Sequence, residues 1–409
     1  MARLILLGCM AYLTIGLGEL VLGAILEPMV HAYGVQYSDG GQLVMNQFLG
    51  GLFGTLCAPW LIRRMGRKAL LLSAFGVMTA MEIAYTALPP WGAMLTIAPV
   101  TGFSFGVIET LVGSLVISGA GANANVAMTR VETFFGVGAL IVPFAGAALI
   151  EAGQWRLSFG VVGVLAVLSF ALWLRFWPKQ LLGGRSLEPA GEADASAASG
   201  DESSNARAGR SVVGGPGFIL AICALFFAAY VGVEMSFTHY LPSLLVKSNG
   251  LSDATATLAL AAFWGAMTIG RLFAGRLADR IGGAVYLVAS CLASIVCFLL
   301  MSVTSGAPAM FVLAFLAGLS MSGIFAIALV FANQAVPGIT ERTTSVLIAC
   351  GLLGGGLVPK ITGWCLDEYG TTATKWLFAG TAVLMLAIIG VAVYLYRRAR
   401  RSVVLLEGA

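Results

Sequence analysis

Long apolar segments, separated by short polar stretches, run through almost the whole chain. Each is about 20 residues long, the length that a helix needs to cross the hydrocarbon core of a bilayer. The segments lack the alternating ten-residue pattern typical of barrel strands. The pattern therefore predicts twelve helical spans, whose approximate bounds are 4–30, 41–62, 69–88, 93–117, 129–151, 158–177, 216–246, 254–275, 284–304, 308–335, 343–366 and 374–396.

A polar stretch at 183–215 divides these spans into two sets of six. It is rich in Gly, Ala, Ser and acidic residues, a composition typical of a flexible, solvated linker. We therefore predict an all-α integral membrane protein with two pseudo-symmetric six-helix halves, an N-terminal bundle at 1–182 and a C-terminal bundle at 216–398. The residues at 399–409 are predicted to form a cytoplasmic tail after the last span.

The composition supports a lipid environment. Charged residues make up 10% of the chain, hydrophobic residues make up 59%, and the mean hydropathy is +0.93. A soluble domain is about 25% charged and could not bury this much apolar surface. Because the backbone must satisfy its own hydrogen bonds in hydrocarbon, helices are the expected elements.

Lys and Arg residues are concentrated in the loops and tails on one side of the predicted bundle. They include Arg63, Arg64, Arg67, Lys68, Arg276, Arg280, Arg397, Arg398, Arg400 and Arg401. The loops on the other side hold Arg156, Lys247 and Lys375. By the positive-inside rule, this asymmetry predicts a multi-pass protein of the plasma or inner membrane with both termini in the cytoplasm. The basic residues are therefore interpreted as orientation signals, and no nucleic-acid partner is expected.

Two related loops suggest the family. The turn at 275–282 reads G-R-L-A-D-R-I-G, and a degraded copy at 59–68 reads P-W-L-I-R-R-M-G-R-K. The pair resembles the loop motif of the major facilitator superfamily, which reads roughly G-x-L-A-D-R-x-G-R-R. The resemblance implies a transporter whose substrate site lies between two halves near the membrane midplane.

The same resemblance implies a cytoplasmic gate near these loops. The candidate gate residues are Arg64, Gly66, Arg67, Arg130, Gly275, Asp279 and Arg280. Arg63 stands where the family has Asp, so the gate is expected to be asymmetric. We hypothesise that Glu132 supplies the missing carboxylate near Arg64 or Arg130.

Ionisable residues inside the predicted spans require an explanation, because each costs about 2.5 to 3.5 kcal/mol on insertion scales. A carboxylate in such surroundings accepts a proton more readily than one in water. The candidates for proton coupling are Glu109, Glu19, Glu234 and Glu132. The alternative interpretation is that they form structural polar bridges between helices. Lys360 would compete for a carboxylate or hold an anionic substrate, whereas Glu27 and Glu82 lie nearer the predicted membrane interfaces.

The surroundings of Glu109 resemble a more specific family. The sequence G-V-I-E-T at 106–110 is similar to the G-x-x-E-T-A-A-N-P segment of the fucose–proton symporter branch. The segments E-T-F-F-G-V-G-A-L-I at 132–141 and A-I-L-E-P at 24–28 resemble that branch's Q-T-F-x-x-x-G-A-x-I and D-I-L-x-P. The resemblance implies a proton-coupling role for Glu109. Ala24 replaces the family's first-span Asp, for which Glu19 is the candidate substitute.

Polar and aromatic side chains at the predicted midplane depth are candidates for a substrate site. They are Asn46, Gln47, Tyr12, Tyr230, His239, Trp264 and Asn333, together with Lys360. The phosphate-binding pattern G-x-x-x-x-G-K-[ST] does not occur in the sequence, so ATP-driven transport by this chain is not expected. Neither a cofactor nor a bound metal is predicted.

The sequence therefore predicts a proton-coupled secondary transporter of a small organic solute, acting as a monomer by alternating access. Two modes remain open. Uptake of a sugar-like solute by symport is favoured by Glu109. Export of a drug or of an amphipathic or zwitterionic, metallophore-like compound by antiport is favoured by Lys360 and the missing first-span Asp. A lipid-modifying membrane enzyme is a distant alternative, because the chain has only His31 and His239 as histidines.

Overall fold

The computed structural model describes residues 2–120, 124–178, 216–336 and 340–407, and the regular structure in these ranges is α-helical. The helices are α1 (Ala2–Tyr33), α2 (Tyr37–Met65), α3 (Arg67–Thr86), α4 (Trp91–Ala120), α5 (Ala124–Glu151), α6 (Leu157–Arg175), α7 (Pro216–Asn249), α8 (Asp253–Ile281), α9 (Gly283–Val303), α10 (Ala307–Met321), α11 (Ile324–Ala335) and α12 (Thr340–Glu407). The linker predicted at 183–215 lies outside the described residues. Helix α12 continues through most of the predicted tail.

Ten segments among the described residues are long and apolar enough to cross a membrane, as a multi-pass membrane protein requires. Helix α2 is not one of them, because polar side chains interrupt its apolar run. The segment Thr343–Arg398 has 56 residues, whereas one crossing needs about 20. Gly370 interrupts this helix at a φ of 75° and a ψ of −173°. The interruption falls in the gap that the sequence predicts between spans 343–366 and 374–396.

The two loop motifs form tight turns at corresponding places. Gly66 separates α2 from α3 with a φ of 78°, and Gly282 separates α8 from α9 with a φ of 90°. Their N–H groups donate to the carbonyls of Ile62 (2.9 Å) and Ala278 (2.8 Å), which closes each preceding helix. Glycine adopts this left-handed backbone without the steric cost that a Cβ atom would add. The structure thus has a turn at each position that the motif predicts.

We refer to α1–α6 as the N-terminal group and to α7–α12 as the C-terminal group. They meet where α1 packs on α7, α5 on α8, and α2 on the first arm of α12, residues 340–369. Gly23, Gly41 and Gly363 bring these backbones so close that a Cβ atom would collide with the opposite group, as small residues do in other membrane helix pairs. All three lie toward the end where α1 finishes and α2 begins, which we call the closed end. The opposite end, with the motif turns, is called the basic end.

Candidate functional site

At the closed end, the first turn of α2 is held by side chains of the C-terminal group. The Asp367 carboxylate accepts hydrogen bonds from the backbone N–H groups of Tyr37 (3.0 Å) and Ser38 (2.7 Å). It therefore lies at a helix N-terminus, where a negative charge is favoured. Lys360 Nζ donates to Ser38 O (2.9 Å), and the Tyr240 hydroxyl donates to Tyr37 O (2.8 Å). We call this set of contacts the latch; it engages Lys360, a predicted substrate residue.

Glu27 lies beside the latch and is almost fully buried, although the sequence pattern places it near a membrane interface. The Tyr37 hydroxyl donates to Glu27 Oε1 (2.8 Å), and His31 Nε2 lies 3.0 Å from the same oxygen. One turn earlier on α1, the Ala24 carbonyl accepts a hydrogen bond from Thr257 of α8 (2.9 Å). These contacts extend the closed end from α2 to α1 and α8.

Three of the predicted proton-coupling carboxylates share one region on the basic side of these contacts. Glu109 is exposed although the preceding residue, Ile108, is fully buried. Its charge interacts with those of Glu19 on α1 and Glu132 on α5. The Tyr12 hydroxyl lies 3.5 Å from the Glu109 carbonyl oxygen. The middle of α4 therefore presents Glu109, an exposed acidic residue, to two further acidic residues.

The C-terminal group contributes a carboxylate and a guanidinium to the same region. Glu234 on α7 is buried, and its Oε1 lies 3.9 Å from Arg271 Nη2 on α8. Arg271 also interacts electrostatically with Glu132 of the N-terminal group. Arg271 is not among the residues predicted from the sequence, although a cation inside the predicted span 254–275 is the signal that could have identified it. Glu234 and Glu132 thus lie near a cation that was not predicted, and Glu132 in turn interacts with Glu109.

A narrow cavity of about 10 Å³ lies beside Glu19, where α1, α2, α4 and α12 meet. Gln47, Phe48, Phe105 and Leu352 line it. Gln47 Nε2 lies 3.4 Å from the Glu19 carbonyl oxygen, so the buried amide turns toward α1. A cavity of this size accommodates about one water molecule. Gln47, one of the predicted substrate residues, therefore lies close to Glu19, one of the predicted proton-coupling residues.

Two buried aromatic residues have ring nitrogens that make no hydrogen bond of normal geometry among the described residues, His239 Nε2 and Trp264 Nε1, although the Glu19 backbone carbonyl lies near the His239 ring. The other ring nitrogen of His239 lies 2.6 Å from Met235 O, and the ring packs beside Gly23 of α1. The Trp264 ring lies 6.5 Å from that of Phe135 on α5. Because buried polar groups are normally paired, these two ring nitrogens stand out at the contact between the groups.

Three other predicted substrate residues are engaged inside their own group. Asn46 Nδ2 donates to the Leu95 carbonyl on α4 (3.0 Å). The Tyr230 hydroxyl donates to the Met321 carbonyl on α10 (3.2 Å). Asn333 Nδ2 donates to a carbonyl one turn earlier on α11 (3.0 Å). These contacts support helix packing, and they do not bring Asn46, Tyr230 and Asn333 together.

The predicted gate residues lie toward the basic end, and most are exposed to solvent. The exposed ones are Arg64, Gly66, Arg130, Gly275, Asp279 and Arg280, whereas Arg67 is half-buried. Arg64 stacks on Trp60, with Cζ 4.8 Å from the ring centre. Within the described ranges Asp279 takes part in no ion pair, and Glu132 has Arg271 as its charged neighbour instead of Arg64 or Arg130. The predicted gate residues thus lie at the surface of the basic end, whereas contacts between the groups hold the closed end together.

Glu82 lies apart from this region. It is buried on α3, and its Cβ would lie 3.4 Å from a Cβ atom at Gly163 of α6. Its Oε2 has no hydrogen-bond partner in the part of the chain that the structure describes. The sequence pattern places Glu82 near a membrane interface, but the structure packs it between two helices of one group.

Comparison with known proteins agrees with this architecture. The sequence model of the Major Facilitator Superfamily matches residues 8–307 and, in a second match, 234–408. The chain is 27% identical over 384 residues to the glucose/mannose transporter GlcP of Bacillus subtilis, covering 94% of this chain and 93% of the relative. A putative glucose/galactose transporter of Helicobacter pylori is 28% identical over 162 residues, 40% of this chain and 39% of the relative. The fold is similar to that of a D-xylose–proton symporter, with a TM-score of 0.73 at 13% identity over 95% of this chain and 96% of that one.

Proposed function

This chain belongs to the Major Facilitator Superfamily, and we propose that it imports a hexose-like sugar by proton symport. Membership makes it a membrane-embedded secondary transporter and not an enzyme. The nearly full-length similarity to a glucose/mannose transporter supports a neutral sugar as the solute. The exposed acidic residue Glu109 in the middle of α4, next to Glu19 and Glu132, is the single observation that carries the proposal of proton coupling.

The proposed topology has twelve spans in two halves, 1–182 and 216–398, joined by a cytoplasmic linker at 183–215. Two spans come from α12, on either side of Gly370, and α10 and α11 together form one. The positive-inside rule then places the basic end and both termini in the cytoplasm of a plasma or inner membrane. In this orientation the latch would close the outer face, and the protein is proposed to act as a monomer whose structure here is an inward-facing form.

Glu109 is the proposed proton carrier. In the inward-facing state its accessible carboxylate exchanges protons with the cytoplasm. When the latch opens and the basic end closes, the same carboxylate faces the outside. Glu19 and Glu132 share its region, and mutual repulsion of their charges favours binding of protons there. Alternating exposure of one carboxylate region thus couples proton movement to the conformational change.

The sugar is proposed to bind beside this region, against Gln47, His239 and Trp264. Aromatic faces and an amide suit a neutral polyol, since they combine stacking with hydrogen bonds. The engagement of Lys360 by the latch removes a cation that a zwitterionic solute would use. Export of a zwitterion by proton antiport is the second candidate, and the observation favouring it is Arg271, a cation among the carboxylates.

Proteoliposomes that contain the purified protein test the proposal. With an acidic exterior, radiolabelled D-glucose should accumulate inside above its external concentration, and a protonophore should abolish the accumulation. Glucose efflux under the same gradient would support antiport instead. If glucose does not cross the membrane, or if its transport does not depend on the pH gradient, proton-coupled sugar symport is refuted.

A further inference from the structure

The contact between α5 and α8 follows a regular antiparallel register across the two groups. Near the closed end, a Cβ atom at Gly146 would lie 3.7 Å from Thr257 Cγ2. Toward the basic end, a Cβ atom at Gly136 would lie 3.2 Å from Thr268 Oγ1. From the first of these contacts to the second, the residue number decreases along α5 and increases by nearly the same amount along α8. The two helices thus pair turn by turn from the closed end as far as Gly136 and Thr268.

Glu132 and Arg271 occupy the next turn of this register. Glu132 precedes Gly136 by about one turn of 3.6 residues, and Arg271 follows Thr268 by about the same amount. Both side chains are exposed, and Arg271 interacts with the charge of Glu132 without forming an ion pair in this structure. Among the described residues, no ion pair therefore joins the two groups at this turn. Further closure at the basic end would bring these two side chains together before any residues beyond them.

In this structure Arg271 has a nearer carboxylate in its own group. Its Nη2 lies 3.9 Å from Glu234 Oε1, longer than the usual 2.7–2.9 Å of a charged hydrogen bond. The guanidinium also lies 6.0 Å from the Trp264 ring and 3.4 Å from the Met267 sulfur. Tyr230 is a further titratable group in its surroundings. The long ion pair leaves the guanidinium able to take another partner.

We propose that Arg271 is a positioning residue that exchanges Glu234 for Glu132 when the basic end closes. In the open form Arg271 pairs within the C-terminal group, and in the closed form it pairs across to the N-terminal group. Glu132 and Glu234 thereby compete for one guanidinium, and the competition sets the equilibrium between the two forms. This proposal rests on the proposed transport cycle. It adds Arg271 as the residue that links Glu132 and Glu234 to closure of the basic end.

The conformational equilibrium can be measured directly by double electron–electron resonance. Spin labels at Met65 and Ile281, two exposed residues at the basic end, report the separation of the groups. The half-buried cysteines Cys57 and Cys350 are first changed to Ser. The protein is studied in nanodiscs at about pH 8, where accessible carboxylates are ionised. Neither sugar nor a proton gradient is needed, so the result is independent of the glucose uptake assay.

Substitution of the two carboxylates should move the equilibrium in opposite directions. Glu132→Gln removes the partner across the groups and should lower the closed fraction by about tenfold, a typical coupling for charged groups in contact. Glu234→Gln removes the competitor and should raise the closed fraction. In an Arg271→Gln background neither substitution should have an effect.

If Arg271 only stabilises the fold, the two carboxylate substitutions should change the closed fraction in a different pattern. Shifts in the same direction for Glu132→Gln and Glu234→Gln would overturn the partner exchange. Shifts that persist in the Arg271→Gln background would also overturn it. If Arg271→Gln does not fold, Arg271→Lys serves as the second background. This substitution keeps the positive charge but removes the planar guanidinium and its multiple N–H donors. There the opposite shifts should shrink, and shifts of full size would contradict the proposal.

Discussion

Removal of the Asp367 charge should loosen the closed end. Asp367→Asn keeps one carbonyl acceptor, so it retains one of the hydrogen bonds to the N–H groups of Tyr37 and Ser38 and loses the other. A hydrogen bond to a charged group contributes about 1.5–3 kcal/mol, and a charge at a helix N-terminus about 0.3–1 kcal/mol. Because water replaces part of this loss, we expect about 2 kcal/mol. The ratio of latched to unlatched molecules should then fall about 30-fold.

The assay is the distance distribution between spin labels at Ala32 and Thr372, two exposed positions at the closed end. Asp367→Asn should add a longer distance to the distribution of the unsubstituted protein. Glu368→Gln is the matched control, because it removes an equal charge from the adjacent, exposed residue. Equal shifts in the two variants would show that net charge, rather than the bond to the start of α2, controls the closed end. Unchanged distributions in both would refute the latch.

Two further predictions concern packing and the sugar site. Gly363→Ala should lower the latched population by about tenfold, since its Cβ would overlap the Tyr240 hydroxyl and overpacking costs about 1–3 kcal/mol. In the control Gly390→Ala the new Cβ meets open space, so the distance distribution between the labels at the closed end should stay unchanged. Equal effects of the two substitutions would contradict this reasoning. Gln47→Ala should raise the KM for glucose uptake about fivefold through the loss of one hydrogen bond, whereas an unchanged KM would place the sugar elsewhere.

The helices and the position of Glu109 could be predicted from the sequence. Apolar length fixes where a helix can lie in a bilayer, and the predicted gap between spans 343–366 and 374–396 contains the Gly370 interruption. A carboxylate in the middle of an apolar segment is costly, so Glu109 stands out from its neighbours in the sequence alone. These inferences depend on local composition and therefore need no tertiary information.

The partners of the charged residues could not be predicted in the same way. Asp367 accepts hydrogen bonds from backbone N–H groups 330 and 329 positions earlier, contacts that exist only because α2 and α12 pack together. Lys360 lies in an apolar span like the carboxylates, but its depth along α12 places it at the latch. Arg271 differs, because its position inside a predicted span was visible in the sequence. Its partners Glu132 and Glu234 come from two other helices and required the structure.

Sugar-induced proton movement tests the central claim most directly. Proteoliposomes with a pH-sensitive dye inside should acidify when D-glucose is added outside, because each sugar enters with a proton. Glu109→Gln should abolish acidification while retaining glucose counterflow. Glu151 is an exposed residue at the end of α5, so the control Glu151→Gln should behave as the unsubstituted protein. Full acidification by Glu109→Gln, or glucose entry without acidification in the unsubstituted protein, would contradict proton symport through Glu109.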